Sequence, residues 1–192
     1  MKKIIIIAAM ALVSLAATAQ ETKIAYVDFN EVIMLMPEMD AARATLEENE
    51  KTQNEILQSM YEEYQTKVQQ YQQKAETWTA AIRQSKENEL MEIQSRLEQT
   101  QQSFANEINQ LQQELQAPIV EKAQKTVNDL AKAKGVAVVL EKSSVIYIDP
   151  AQCIDLTPEA RAALNIPEGR TLETLQAEMM AKAQAAQAAQ AQ

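Results

Sequence analysis

The chain has no histidine, one cysteine and two glycines, Gly135 and Gly169, among 192 residues. Each scarcity excludes a class of chemistry. Without histidine there is no Ser-His-Asp or Cys-His arrangement and no histidine-bearing zinc site, and a lone cysteine rules out a cysteine-rich one. With two isolated glycines no phosphate-cradling loop can be written. Cys153 has no partner for an internal disulfide, which leaves a small buried side chain or an intermolecular bridge. Acidic neighbours such as Glu47-Glu48 and Glu62-Glu63 point in different directions from a helix and read as a solvated face. No enzymatic activity, cofactor or metal is expected from this inventory.

Positive charge is also in short supply. Lysine and arginine number 18 against 27 aspartates and glutamates. Two of those lysines, Lys2 and Lys3, precede the apolar run Ile4 to Leu15 and the small residues Ala17-Thr18-Ala19, the pattern of a secretory signal peptide cleaved after Ala19. The run is too short for a membrane anchor, which needs ~20 residues. Residues 1–19 are therefore set apart, and a soluble mature chain outside the cytoplasm is expected. Without Lys2 and Lys3 it carries 16 basic and 27 acidic side chains. Between Thr45 and Leu115 six basic residues face thirteen acidic ones, a net −7. Nucleic acid and anionic lipid surfaces need clustered positive charge and are not expected partners.

What is present in abundance is helix signal. From Ala41 to Lys134 there is no glycine and one proline, Pro118. Apolar residues recur at steps of three and four: Leu57, Met60, Tyr64, Val68, Tyr71, Ala75, Trp78 and Ile82, then Leu90, Ile93, Leu97, Phe104, Ile108, Leu111 and Leu115. Steps averaging 3.5 lay a coiled-coil seam along each run. Capping types cluster between Thr77 and Glu89, so the segment is expected to double back near Thr77 to Thr79 rather than extend as one rod. The result is an antiparallel helical hairpin over residues 37–117, opened by Pro37 in its first turn and with Pro118 at the matching height. At ~1.5 Å per residue each arm reaches roughly 55–60 Å.

On either side lie shorter elements. Residues 20–36 hold the run Lys23-Ile24-Ala25-Tyr26-Val27-Asp28-Phe29, expected as a strand mostly buried on both faces, then a helical turn capped by Asp28 or Asn30. Met34, Met36 and Met39 are expected to pack at the strand-helix corner. Residues 118–166 resume helical spacing with Ile119, Ala123, Val127 and Leu130 and stop at Lys132-Ala133-Lys134-Gly135. Val136 to Leu140 and Val145 to Asp149 read as a β-hairpin. Asp155-Leu156-Thr157-Pro158-Glu159 starts a short helix with Thr157 as cap. Residues 167–192 become Ala/Gln-rich and read as a frayed or disordered tail. The class is α+β, mainly α: a long hairpin projecting from a small β body that has little core of its own and should gain stability by packing against helix ends or copies of itself.

In this order the elements resemble the OmpH/Skp family of periplasmic chaperones. Lys23 to Asp28, the charged Gln-rich hairpin, Gly135 to Leu140, Ile146-Tyr147-Ile148-Asp149 and Asp155 to Glu159 carry the resemblance. It implies a homotrimer whose strands share one β body and whose hairpins enclose a cavity, holding unfolded outer-membrane proteins without ATP. On this reading Ile24, Tyr26, Val27, Val136, Val138, Val139, Ile146 and Ile148 build the trimer body. Tyr61, Tyr64, Tyr71, Trp78 and Met91 are the candidate client contacts, against the plainer expectation that they glue the two helices together. The acidic arms depart from the strongly basic ones of the family's best-known members and argue against lipopolysaccharide or anionic membrane. The competing reading is a structural coiled-coil adaptor docking to one envelope partner.

Overall fold

The computed structural model describes residues 22–190. The expected signal peptide and its cleavage after Ala19 lie outside the described residues. The elements run β1 (Lys23–Val27), α1 (Phe29–Leu35), α2 (Pro37–Lys74), a 3-10 turn (Ala75–Thr77), α3 (Ala80–Lys134), β2 (Val136–Glu141), a second 3-10 turn (Lys142–Ser144), β3 (Cys153–Asp155), α4 (Thr157–Ala163) and α5 (Leu172–Gln190). They form two compact units. Pro37–Glu121 make the arms, and the remaining described residues make the body.

The arms are a helical hairpin. Pro37 stands first in α2, where its missing N–H costs nothing. The turn uses the capping residues: the Thr77 hydroxyl donates to the Lys74 carbonyl at 2.8 Å, and Thr79 Oγ1 accepts from the Ile82 amide at 3.4 Å at the start of α3. Side chains then meet across the arms in one antiparallel register. Lys67 reaches Glu89, Arg96 reaches Glu63 at 2.8 Å, Tyr61 meets Gln101 at 2.6 Å and Gln53 meets Glu107 at 3.4 Å. Pro118 lies inside α3 and does not end it. Its missing donor touches one backbone bond, while the good helix formers on both sides keep the rest.

In the body α3 stops where lysines and glycine predicted. Gly135 takes φ +67°, the left-handed turn that glycine alone adopts without strain, and its amide bonds the Lys132 carbonyl at 3.1 Å. The chain then enters a three-stranded sheet of order β2-β1-β3, parallel throughout. This corrects the expected β-hairpin. Lys142–Ser144 form a 3-10 turn, and none of these residues has the positive φ that a tight hairpin turn would require. Residues 145–149 therefore do not pair with β2. Ile146 is fully exposed, Tyr147 largely so, and Ile148 half-buried, so Ile146 and Ile148 are not strand residues. The chain turns at Asp149, whose carbonyl takes the amides of Gln152 and Cys153, and returns along the other edge of β1 as β3.

The body's core is built on one face of that sheet. Ala25 and Val27 point into it, joined by Val32 and Leu35 of α1, Val127 and Ala131 of α3, Leu156, Ala160, Leu164 and Leu175. Asp28 caps α1 by accepting the Glu31 amide at 3.1 Å, one of the two caps expected. Thr157 is not the cap of α4. Its hydroxyl instead accepts the Asp28 amide at 2.9 Å, 129 residues away in sequence, and Asp155 Oδ1 takes the Thr157 amide at 2.8 Å. Residues 172–190 are helix rather than a frayed tail, because Leu175 anchors α5 in the core and its Ala/Gln composition favours helix.

Candidate functional site

Two surfaces carry the predicted contacts, one in each unit. The first is the seam of the arms. From Leu57 to Trp78 every seam residue is half-buried, while Ile82 is exposed. Of the seam residues on α3 only Ile93 and Leu97 are buried, and Leu90, Phe104, Ile108, Leu111 and Leu115 are again half-buried. Two helices alone enclose little of a seam, so most of its apolar residues keep a wet edge. A fully buried aliphatic side chain contributes about 1.5–3 kcal/mol and an exposed ion pair about 0.2–1. Half-burial along the seam therefore still outweighs the cross-arm salt bridges, but by little per residue.

Within this seam the predicted contact residues separate. Tyr71 and Trp78 come together edge to face, with ring centroids 5.9 Å apart and planes at 66°, and among the described residues they are the one aromatic pair. The Tyr71 hydroxyl donates to Glu87 across the turn, and that bond raises its pKa. Tyr61 and Met91 are exposed, with Tyr61 tied to Gln101, and Tyr64 is half-buried. These three are not brought to the Tyr71–Trp78 pair by any ring contact.

Beside the pair is a cavity of ≈ 200 Å³ lined by Tyr71, Trp78, Leu90 and the lysines 67, 74 and 86. Glu89 is its one acidic residue. Lys67 and Lys86 both donate to it, Lys86 at 2.6 Å, and the two hydrogen bonds hold its carboxyl down at about 2. The lysines were not singled out from sequence, though a local charge count would have found them. Between Lys67 and Leu90 stand four basic and three acidic residues, leaving two basic and ten acidic for the rest of the Thr45–Leu115 stretch. The arms are acidic as a whole, yet their turn end is not.

The second surface is the other face of the sheet. Strand pairing places Ile24 beside Val138 and Cys153, and Tyr26 beside Leu140 and Asp155. Ile24 is 37%, Val138 48% and Leu140 37% exposed, and Tyr26 is half-buried. The strand is thus buried on one face only, not on both as expected. Val27 points into the core, Val139 is half-buried on the same inner side, and Val136 is half-buried opposite Lys23, where the register slips by one residue. Parallel sheets are found almost exclusively with both faces covered. Here one chain covers one. Leu140 and Cys153 belong to this face and were not singled out: Leu140 lies in the expected strand Val136 to Leu140, whereas residues 145–149 were taken for the second strand of a hairpin and Cys153–Asp155 pairs with β1 instead. Cys153 is half-buried, not enclosed.

A family model described as outer membrane protein (OmpH-like) matches residues 23–164, from the first residue of β1 to the end of α4. The chain belongs to the OmpH-like family. Chaperone protein Skp of Yersinia enterocolitica is 30% identical over 155 residues, covering 80% of this chain and 94% of that protein. Chaperone protein Skp of Pectobacterium atrosepticum is 28% identical over 156 residues with the same coverage, and that of Photorhabdus luminescens 26% over 149 residues. The OmpH-like match spans the arms and the sheet together and ends before α5, which is outside the matched segment. Among the described residues no helix is long and apolar enough to cross a membrane, and no group of three acidic or cysteine side chains is placed to hold a metal ion.

Proposed function

We propose that the chain is an ATP-independent periplasmic holdase, which binds unfolded outer-membrane proteins between the arms of a homotrimer and keeps them from aggregating. The observation that carries this is similarity over nearly the whole length of relatives named as Skp chaperones. Two physical features support it. A seam that is half-buried along its length offers many weak apolar and polar contacts, the kind of grip that does not select one folded partner. The open sheet face, with Ile24, Val138 and Leu140 exposed, calls for an apolar cover that further copies of the same chain supply. Periplasmic location is part of the proposal: the signal pattern of residues 1–19 supports export, and the likeness to Skp chaperones points to the periplasm. The adaptor reading has no observation of its own in its favour.

The test is whether the purified mature protein keeps a denatured β-barrel protein soluble on dilution. Suppression of light scattering is expected, and no effect at several-fold excess of trimer rejects the holdase. Mass in solution tests the covered face. The natural protein is expected as a trimer and Val138→Lys as a monomer, since an unpaired ammonium buried in an apolar interface is strongly unfavourable. A natural chain that is itself monomeric contradicts the shared body.

A further inference from the structure

The turn end of the arms combines an aromatic pair, a cavity and a local excess of positive charge. Glu89 is shared by Lys67 and Lys86, so that group of three carries a net +1. Lys74 adds another positive charge to the same cavity wall. Trp78, Tyr71 and Leu90 supply the apolar part of the same lining. A cavity of about 150 Å³ accommodates a benzene ring, so one of ≈ 200 Å³ has room for a ring and a small polar group beside it.

We infer that this cavity binds a carboxylate adjacent to an aromatic or large aliphatic side chain on an unfolded polypeptide. The apolar side chain lies against Trp78 and Tyr71, and the carboxylate meets the ammonium of Lys74 and the excess charge of the Lys67–Lys86 pair. A free chain end and an internal acidic residue both supply this chemistry. The stalk beneath explains why the occupant is a polypeptide rather than an anionic bilayer. The flanking parts of both arms carry two basic and ten acidic residues. A continuous anionic surface needs clustered positive charge, which the arms as a whole lack, whereas a single carboxylate needs only the turn end. The same arrangement lets an overall acidic arm engage acidic segments of a client.

This inference rests on the client-binding reading of the arms, and the experiment separates the two. Trp78 is the sole tryptophan of the chain, so its fluorescence reports on the cavity without a label. The full mature protein is titrated with a short Gly/Ser peptide ending in phenylalanine with a free carboxylate. The same peptide as its amide, and an amide with an internal Asp-Phe pair, are the comparison probes. The free-acid peptide is expected to shift Trp78 emission at least about tenfold more tightly than the plain amide, as loss of a charge-assisted contact implies. Lys74→Glu should remove that preference and Lys51→Glu, on the stalk, should not. Binding by the Asp-Phe amide equal to that of the free acid assigns the site to internal acidic residues; weaker binding assigns it to chain ends. Equal affinity for the acid and both amides overturns the inference, as does a shift with anionic phospholipid vesicles but with none of the peptides. If the peptides bind while a denatured β-barrel still aggregates, the holdase reading fails and the cavity stands. If the β-barrel stays soluble while no peptide moves Trp78, the cavity assignment alone fails.

Discussion

The body and the arms are folded from the same chain by different means. Met39, Ala42, Ile93, Leu97 and Ile119 are the buried apolar residues of the arms, and all the others lie in the body. The body also closes long sequence separations with specific bonds. Asp28 to Thr157, Phe29 to Glu141 at 2.9 Å and the Tyr26 carbonyl to the Leu156 amide at 2.9 Å stitch its first residues to β2 and to the start of α4. The arms instead repeat one shallow contact many times and add surface ion pairs. A core concentrates stability in a few side chains, while a zipper distributes it, and only the zipper can yield locally without unfolding the whole.

The sharpest way to break this contrast is to delete matched side chains. Leu35→Ala, in the body core, should cost about 2–5 kcal/mol of unfolding free energy, and Leu111→Ala, on the seam, well under half of that. Chemical denaturation followed by circular dichroism reads both. Equal costs would mean that the seam is a core in its own right.

Next in size is Thr157→Ala. It leaves the Asp28 amide without its acceptor in a part-buried position and should cost about 1–3 kcal/mol by the same measurement. Thr79→Ala, at the arm's cap with a 3.4 Å bond, should cost about 0.5–1 kcal/mol. A Thr79 effect larger than that of Thr157 would place the more specific bonding in the arms.

The smallest expected effect is electrostatic. Glu89 is depressed from 4.5 to about 2 because Lys67 and Lys86 bond its charged form. A carboxylate depressed on folding stabilises the folded state fully above its ordinary value, and that contribution fades as pH falls from 4.5 through about 2. Trp78 emission should therefore report a loosening of the turn end in that window, and Glu89→Gln should flatten it. An unchanged profile in the variant would show that the ion pairs there are too solvated to matter.

The arms were legible in the sequence to a degree the body was not. Seam periodicity, Pro37 at a helix start, threonines at a turn and Gly135 at a helix stop are all local signals, and each describes its own few residues. The open-face residues Ile24, Tyr26 and Val138 were singled out correctly as sheet residues, while Ile146 and Ile148 were not strand at all. Strand propensity marked residues 145–149 as readily as Val136 to Leu140, and the three residues of β3 were too few to register. Thr157 was read as a helix cap because its sequence context is that of a cap; its partner lies at the other end of the chain.

The sequence by itself determined the long acidic hairpin, its turn and its seam, since helix periodicity and capping depend on residues three or four apart. The tertiary structure alone decided the parallel sheet, its one uncovered face and the cavity at the turn end. Those depend on where a distant segment returns, and nothing local to Lys23–Val27 specifies whether Val136, Cys153 or neither will lie beside it.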